Sequence, residues 1–228
     1  MKKKKIKNPL IRRIPKELIG DWKKYLVVFL FLVLTIGFVS GMYVANESMI
    51  TSANEGVTKY KQEDGHFELK KQADATLLSA IETGEKADFK ATKTTLYENF
   101  FRNEEEDYNN DGKKDGTIRV FAKTKDINLA CMLQGSFPQK ADEIAIDRMH
   151  ADNVGIKVGD TVTVSGETYK VVGLLAYVNY STLHEKTTDL MFDALKFDVA
   201  MVTQDGFDRL HKSIHYTYAW KYETEPAD

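Results

Sequence analysis

Residues 25–45, YLVVFLFLVLTIGFVSGMYVA, run without a single charge, and no other stretch limits the chain's possible folds as much. As a helix with about 1.5 Å rise per residue, they span roughly 31 Å, the thickness of a bilayer's hydrocarbon core. The stretch is apolar on every face, which does not suit a helix resting on a soluble core. Trp22 and Tyr25 at one end and Tyr43 at the other lie where amphipathic rings favour the membrane interface. A cleaved leader fits less well. Its apolar part is usually about 7–15 residues, and bulky Tyr43 stands where cleavage after Ala45 would want a small residue.

Charge gives the orientation. Residues 1–24 carry ten Lys/Arg against Glu17 and Asp21, a net +8. The whole chain is −2, which leaves −10 for residues 25–228. Cations flank only the front of the span, so residues 1–24 are expected in the cytoplasm and residue 46 onward outside the plasma membrane. An acidic outer part repels phosphates, so nucleic acid is not an expected partner.

Around the span the helical spacing continues. Leu10, Ile11, Ile14, Leu18, Ile19 and Trp22, with Arg12, Arg13, Lys16 and Lys23 between them, predict an amphipathic helix on the inner leaflet, in contact with membrane lipid. Met49, Ile50, Ala53, Val57 and Tyr60 carry the pattern outward, so residues 46–64 read as a helical stalk ending at Glu63-Asp64-Gly65. Within the span, Gly37, Gly41 and Ala45 recur every four residues, a small-residue face on which a second helix can pack.

Residues 65–228 alternate between strand and helix signals and predict an α+β domain with βαβ-like elements. The expected strands are His66–Leu69, Thr94–Phe101, Thr117–Lys123, Glu143–Asp147, Asp198–Thr203 and His215–Tyr222. Helices are expected at Ala73–Glu82, from Asp147 to Gly155, and at Gln204–Leu210. Asp160–Val164 and Thr168–Val172, joined by Ser165-Gly166-Glu167, read as a hairpin within a small β-rich part at about 140–178. Gly155, Gly159, Asp160, Gly166 and Gly173 are expected at structural turns. The chain ends at Asp228 just after a strand, which suggests a truncated domain.

Few groups suggest chemistry. Cys131 is the only cysteine, so no intramolecular disulfide forms, and its run Leu129-Ala-Cys-Met-Leu133 reads as a buried, inert thiol. His211 and His215 are four apart, but Lys212 stands where a metalloprotease helix needs its glutamate. Asp107, Asn109, Asp111 and Asp115, with Gly112, occupy positions 1, 3, 5, 9 and 6 of a calcium loop, but Ile118 replaces the bidentate acid at position 12. Calcium is therefore a weak candidate ligand, and a polar Asx-rich hairpin turn is the alternative. No nucleophile, base and orienter assemble, so no catalytic residue is expected, and no phosphate-binding loop is present.

Several motifs occur together and in order: Arg12-Arg13-Ile-Pro-Lys-Glu-Leu18 before the span, Glu63-Asp-Gly-His-Phe67 after it, Asp142-Glu-Ile-Ala-Ile-Asp147, Asn153-Val-Gly-Ile-Lys-Val-Gly-Asp-Thr-Val-Thr-Val164 and Tyr169-Lys-Val-Val-Gly-Leu174. In that order they resemble the first span and extracytoplasmic domain of FtsX-like (MacB-type) ABC transporter permeases. The resemblance covers most of residues 10–180. It implies a membrane subunit that couples a separate cytoplasmic ABC ATPase, which holds the ATP, to an outer domain for export, extraction or signalling. It also implies a permease homodimer or a second permease as partner. The later spans of that family are missing from this sequence. A single-span surface-anchored module that binds a ligand or a protein is the alternative reading.

Overall fold

The computed structural model describes residue 13 and residues 19–83, 94–180, 182–186 and 188–223. The helix read over residues 10–23 lies largely outside them. The chain divides into two units, one up to Asn54 and one from Glu55 onward. Helix α1, Trp22–Lys59, has 38 residues and buries none of them. It is the one helix among the described residues long and apolar enough to cross a membrane. Gly37 and Gly41 lie exposed on it, with no atom near the position a Cβ would take. Ala45 is exposed on it as well.

From Glu55 onward the chain is α+β, the class expected from the sequence. A three-stranded antiparallel sheet has the order β1 (Gly65–Leu69), β10 (Tyr216–Tyr222), β2 (Thr94–Glu98). Helix α2 (Ala75–Thr83) precedes β2. Aromatic rings line this sheet, with Phe67 stacked on Tyr218 at 5.7 Å and Phe100 edge-on to the same ring at 5.4 Å.

The seven-stranded sheet contains β3 (Phe101–Asp107), β4 (Gly116–Ala122), β5 (Ala130–Gly135), β6 (Glu143–Asp147), β7 (Thr161–Val164), β8 (Glu167–Tyr177) and β9 (Phe197–Val202). Its order is β5-β8-β6-β9-β4-β3-β7, and β7 also pairs with β8. The strands β3, β7, β8, β6, β9 and β4 therefore close a circuit, and β5 branches from β8. Parallel pairs β6–β8 and β4–β9 supply the βαβ-like elements. Helices α3 (Arg148–Val154) and α4 (Gln204–Asp208) are short. One face of the sheet packs Ile118, Val120, Ile144, Ile146, Val162 and Val171 with Ala151 and Phe207. The opposite face packs Phe101, Phe121, Leu175, Phe197 and Met201 under Leu183 and Ala194.

The stretch 140–178 contributes β6, α3, β7 and β8 to this sheet. Its turns follow local chemistry. Asp147 caps α3 by accepting from Met149 N–H at 2.7 Å, and Gly155 ends the helix at φ 84°. The β7–β8 hairpin turns on Ser165 (φ 47°) and Gly166 (φ 86°), a two-residue loop whose positive φ values match the twist of the strands. Gly159 precedes β7, and Asp160 accepts from Lys157 N–H at 2.9 Å.

Three expectations need correction. Gly173 is not at a turn. It lies inside β8, where a Cβ would meet Ser136 O at 2.5 Å and Met132 Sδ at 2.7 Å, so the strand β5 crosses too closely for any side chain. The strand expected over Thr94–Phe101 is two strands in different sheets. Thr94–Glu98 pairs with β10, and from Phe101 the chain pairs with β4 in the large sheet, so it changes sheets across Asn99 and Phe100. Cys131 is half-buried and accepts a hydrogen bond from Tyr60 Oη–H at 2.8 Å.

Gly173→Ala should lower stability by about 1–3 kcal/mol through this backbone clash. Gly56→Ala, in open space on α1, should raise it by about 0.5–1 kcal/mol. Thermal unfolding of the full chain in detergent checks both.

Candidate functional site: the end of the long helix and the interior acids

Helix α1 ends in a C-terminal cap of its own making. Lys61 adopts φ 49°, Gln62 N–H bonds Val57 O at 2.9 Å and Lys61 N–H reaches Thr58 O at 3.3 Å. This is the Schellman arrangement, with lysine where glycine is usual. The positive φ turns the next residues against the domain.

There the chain is fastened to both sheets. On the side of the large sheet, Leu129 N–H bonds Tyr60 O at 2.8 Å and Asn128 N–H bonds Lys61 O at 3.0 Å. The Asn128 side chain accepts from Glu63 N–H at 3.0 Å and donates to the Glu63 carboxylate. Asn128 is 1% exposed and sits at φ 47°, a conformation asparagine tolerates better than most residues. On the side of the small sheet, Asp64 N–H bonds Trp220 O at 3.0 Å and Tyr222 N–H bonds the Asp64 carboxylate at 2.8 Å. Lys221 Nζ adds Gln62 O at 2.9 Å. Residues 60–64 thus join β10 to the loop before β5.

Beside this junction lies a cleft of about 550 Å³ lined by Glu63, His66, Asn103, Arg119, Tyr180 and His215 among others. Arg119 donates to Asn103 Oδ1, Tyr180 Oη and Glu185 O, and its guanidinium lies 4.4 Å from the Phe101 ring centre. None of those three acceptors is a carboxylate. His66 Nδ1 is 2.7 Å from Glu63 Oε1, and this bond raises the His66 pKa against the opposing effect of partial burial.

The second concentration of polar groups is inside the large sheet. Strand β3 reads FRNEEED, with carboxylates at its inward positions that break the apolar alternation of a strand. Glu104 is satisfied there: Ser165 Oγ–H and Lys212 N–H each donate to it, the latter at 2.9 Å. Glu105 points outward to Lys212 at 3.2 Å. Glu106 points inward beside His150 of α3 and Asp198 of β9, and all three are 0% exposed. His150 Nδ1 lies 2.7 Å from Ala194 O, and its Nε2 lies 3.4 Å from Glu106 Oε1. Asp198 Oδ1 accepts from Val199 N–H at 2.7 Å and Asp147 N–H at 3.2 Å. Burial pulls the His150 pKa down, but Asp198 and then Glu106 outweigh it and raise the value to about 9. Burial pushes both Asp198 and Asp147 upward.

The calcium-loop residues form the β3–β4 turn. Asp107 accepts from Asp111 N–H at 3.1 Å and Gly112 N–H at 2.8 Å, and Asn109 Oδ1 accepts from Asp111 N–H at 2.9 Å. Asp111 accepts from Lys113 N–H at 2.9 Å, and Asp115 from Tyr108 N–H at 3.2 Å. Each side chain therefore holds the turn through backbone donors, as Asx turns do. His211 and His215 do not share a helix. His211 follows α4 after a turn, and His215 pairs with Glu68 at 2.8 Å.

Two outcomes test the junction. Asn128→Ala should cost about 2–3 kcal/mol of stability, since it strands the Glu63 partners and strains a positive φ. Asn128→Gly removes only the side-chain bonds and should cost less. Because His66 has a raised folded pKa, the Glu63–His66 contact contributes fully below pH of about 6.5, and that contribution fades as pH rises through the folded value. An NMR titration should show His66 titrating above its ordinary value in the native chain and returning towards it in Glu63→Gln.

No family model and no curated protein matches the chain. Among solved structures it is similar to the periplasmic region of MacB from Actinobacillus actinomycetemcomitans, at 10% identity and a TM-score of 0.38. That alignment covers 65% of this chain and 65% of the MacB chain, just under two thirds of its length. The chain is also similar to the extracellular domain of YknZ, a noncanonic ABC-type transporter from Gram-positive bacteria, at 13% identity and a TM-score of 0.37. There the alignment covers 70% of this chain and 84% of that one.

Proposed function

We propose that this chain is a membrane subunit of an FtsX/MacB-like ABC transporter, and that it passes the motion of a cytoplasmic ATPase to an extracytoplasmic domain by mechanical coupling. The observation that carries this reading is the junction at residues 60–64. The helix runs to Lys59, and residues 60–64 that follow it are hydrogen-bonded to β10 and to the loop before β5. A chain needing only an anchor would be served by a loose tether. A rotation or shift of the helix end would instead pull on β10 and on the loop before β5 together.

The charge asymmetry of the sequence supports a cytoplasmic front end and an outer domain. The Gly37, Gly41 and Ala45 face supports packing against another span, from a second copy or a second permease. The cleft beside the junction is open to a substrate or partner, and it is also what a surface-anchored binding module would use.

Topology and coupling are tested separately. In a Cys131→Ser background, a membrane-impermeant maleimide added to intact cells should label Lys113→Cys and spare Lys7→Cys; the opposite pattern rejects the orientation. The full chain purified in mild detergent from its own membranes should bring an ATPase with it. Inserting three glycines after Gly56 should leave that complex intact while uncoupling ATP hydrolysis from transport. Purification without any ATPase, or coupling that survives the insertion, rejects the reading.

A further inference from the structure

Glu106, His150 and Asp198 lie far apart in the chain, yet their ligating atoms come within 4.8 Å of one another. They take no part in the coupling reading. Their hydrogen bonding is incomplete in a way that identifies what they hold.

The Ala194 carbonyl can only accept, so His150 Nδ1 carries a proton whatever the charge of the ring, and Nε2 is left to face Glu106. In the neutral ring Nε2 turns a lone pair towards Glu106 Oε1, and two electron-rich atoms then face each other in the core. A positive charge between them relieves this, and it is either the second proton that Asp198 and Glu106 favour on Nε2 in the metal-free chain or a bound metal ion. A proton on Nε2 is one choice, but a charge-assisted N–H···O bond is about 2.7–2.9 Å long, and the separation here is 3.4 Å. A single proton would also leave most of the site unserved. Both Glu106 oxygens, Asp198 Oδ2 and His150 Nε2 are buried without a hydrogen-bond partner. Glu104, two residues earlier on the same face of β3, has donors on both oxygens, whereas here four neighbouring buried atoms lack partners together. An ionised carboxylate buried without donors costs several kcal/mol.

A metal ion resolves each of these points. Two ligands about 2.1 Å from a tetrahedral centre are about 3.4 Å apart, the separation of His150 Nε2 and Glu106 Oε1. The groups behind the ligands already hold them as a metal site requires: Ala194 O fixes the imidazole tautomer, and Val199 and Asp147 N–H take Asp198 Oδ1, which leaves Oδ2 free. Two carboxylates and a neutral imidazole balance a divalent charge. One nitrogen with oxygens, and no thiolate, suits a first-row ion of borderline hardness.

We propose that Glu106, His150 and Asp198 bind a divalent first-row transition ion, of the Zn²⁺ class, as a buried clamp that ties α3 and β3 to β9. The site is closed to solvent, so the ion's role is structural.

The test uses the full chain in detergent, stripped with a chelator and then loaded with Zn²⁺ or Co²⁺. One equivalent should survive gel filtration, Co²⁺ should show the absorption of a tetrahedral site, and Zn²⁺ should raise Tm. Glu106→Gln and Asp198→Asn are near-isosteric. With unchanged far-UV circular dichroism, each should bind at least about 100-fold more weakly. A wild-type chain that retains no ion overturns the proposal. So does retention undiminished in both variants, which would place the ion on surface histidines such as His66 or His215. Should the variants fail to fold, the wild type still decides. With ¹⁵N-histidine and ¹¹³Cd²⁺, metal coupling to Nε2 of His150 supports the site, and coupling to another imidazole or to none rejects it.

Discussion

The clasp between Glu63 and Asn128 ties the segment that follows the long helix into the outer domain. A helix in lipid satisfies its own backbone and needs nothing from its neighbours. A sheet likewise completes its hydrogen bonds internally. Joining the two without a loose tether requires side chains that bond to backbone on both sides, in a buried place where each bond counts. Asn128 does this from a positive-φ turn, presenting its carbonyl to Glu63 N–H and its amide to the Glu63 carboxylate. Asp64 mirrors it on the small sheet through Tyr222 N–H and Lys221. Residues 60–64 are thus held at two points, on β10 and on the loop before β5.

Strand β3 poses a different physical problem. Its inward positions carry Glu104 and Glu106 on the face shared with Ile118, where an aliphatic side chain would cost less. Glu104 is kept by Ser165 of the β7–β8 hairpin and by Lys212 after α4, so it fastens the closing strand β7 and the end of α4 to β3. Glu106 faces His150 and Asp198, and this trio joins the remaining pieces of the same interior. Polar groups at these depths specify which strands meet, because a slipped register would leave charges without partners.

The local elements of the fold were legible because their causes are local. Alternation marked β4, β7 and β8, and Asp147 and Gly155 bracketed α3. Ser165-Gly166 announced its hairpin. Where a cause was distant, the reading failed or was silent. FRNEEED looks like a solvated acidic run, and only donors from Ser165 and Lys212 make it a strand. Gly173 looked like a turn, yet it is glycine because Ser136 and Met132 of a neighbouring segment leave no room. The split of Thr94–Phe101 between two sheets depends on β10, which lies more than a hundred residues later.

Sequence alone determined the uncharged helix, the charge difference across it and the α+β class, since hydropathy, charge and periodicity are properties of neighbouring residues. Tertiary structure alone decided the closed strand circuit, the fastening of residues 60–64 to both sheets and the meeting of Glu106, His150 and Asp198. Those depend on side chains brought together from distant segments, and whether a buried carboxylate finds a donor or a cation is settled only when the chain has closed around it.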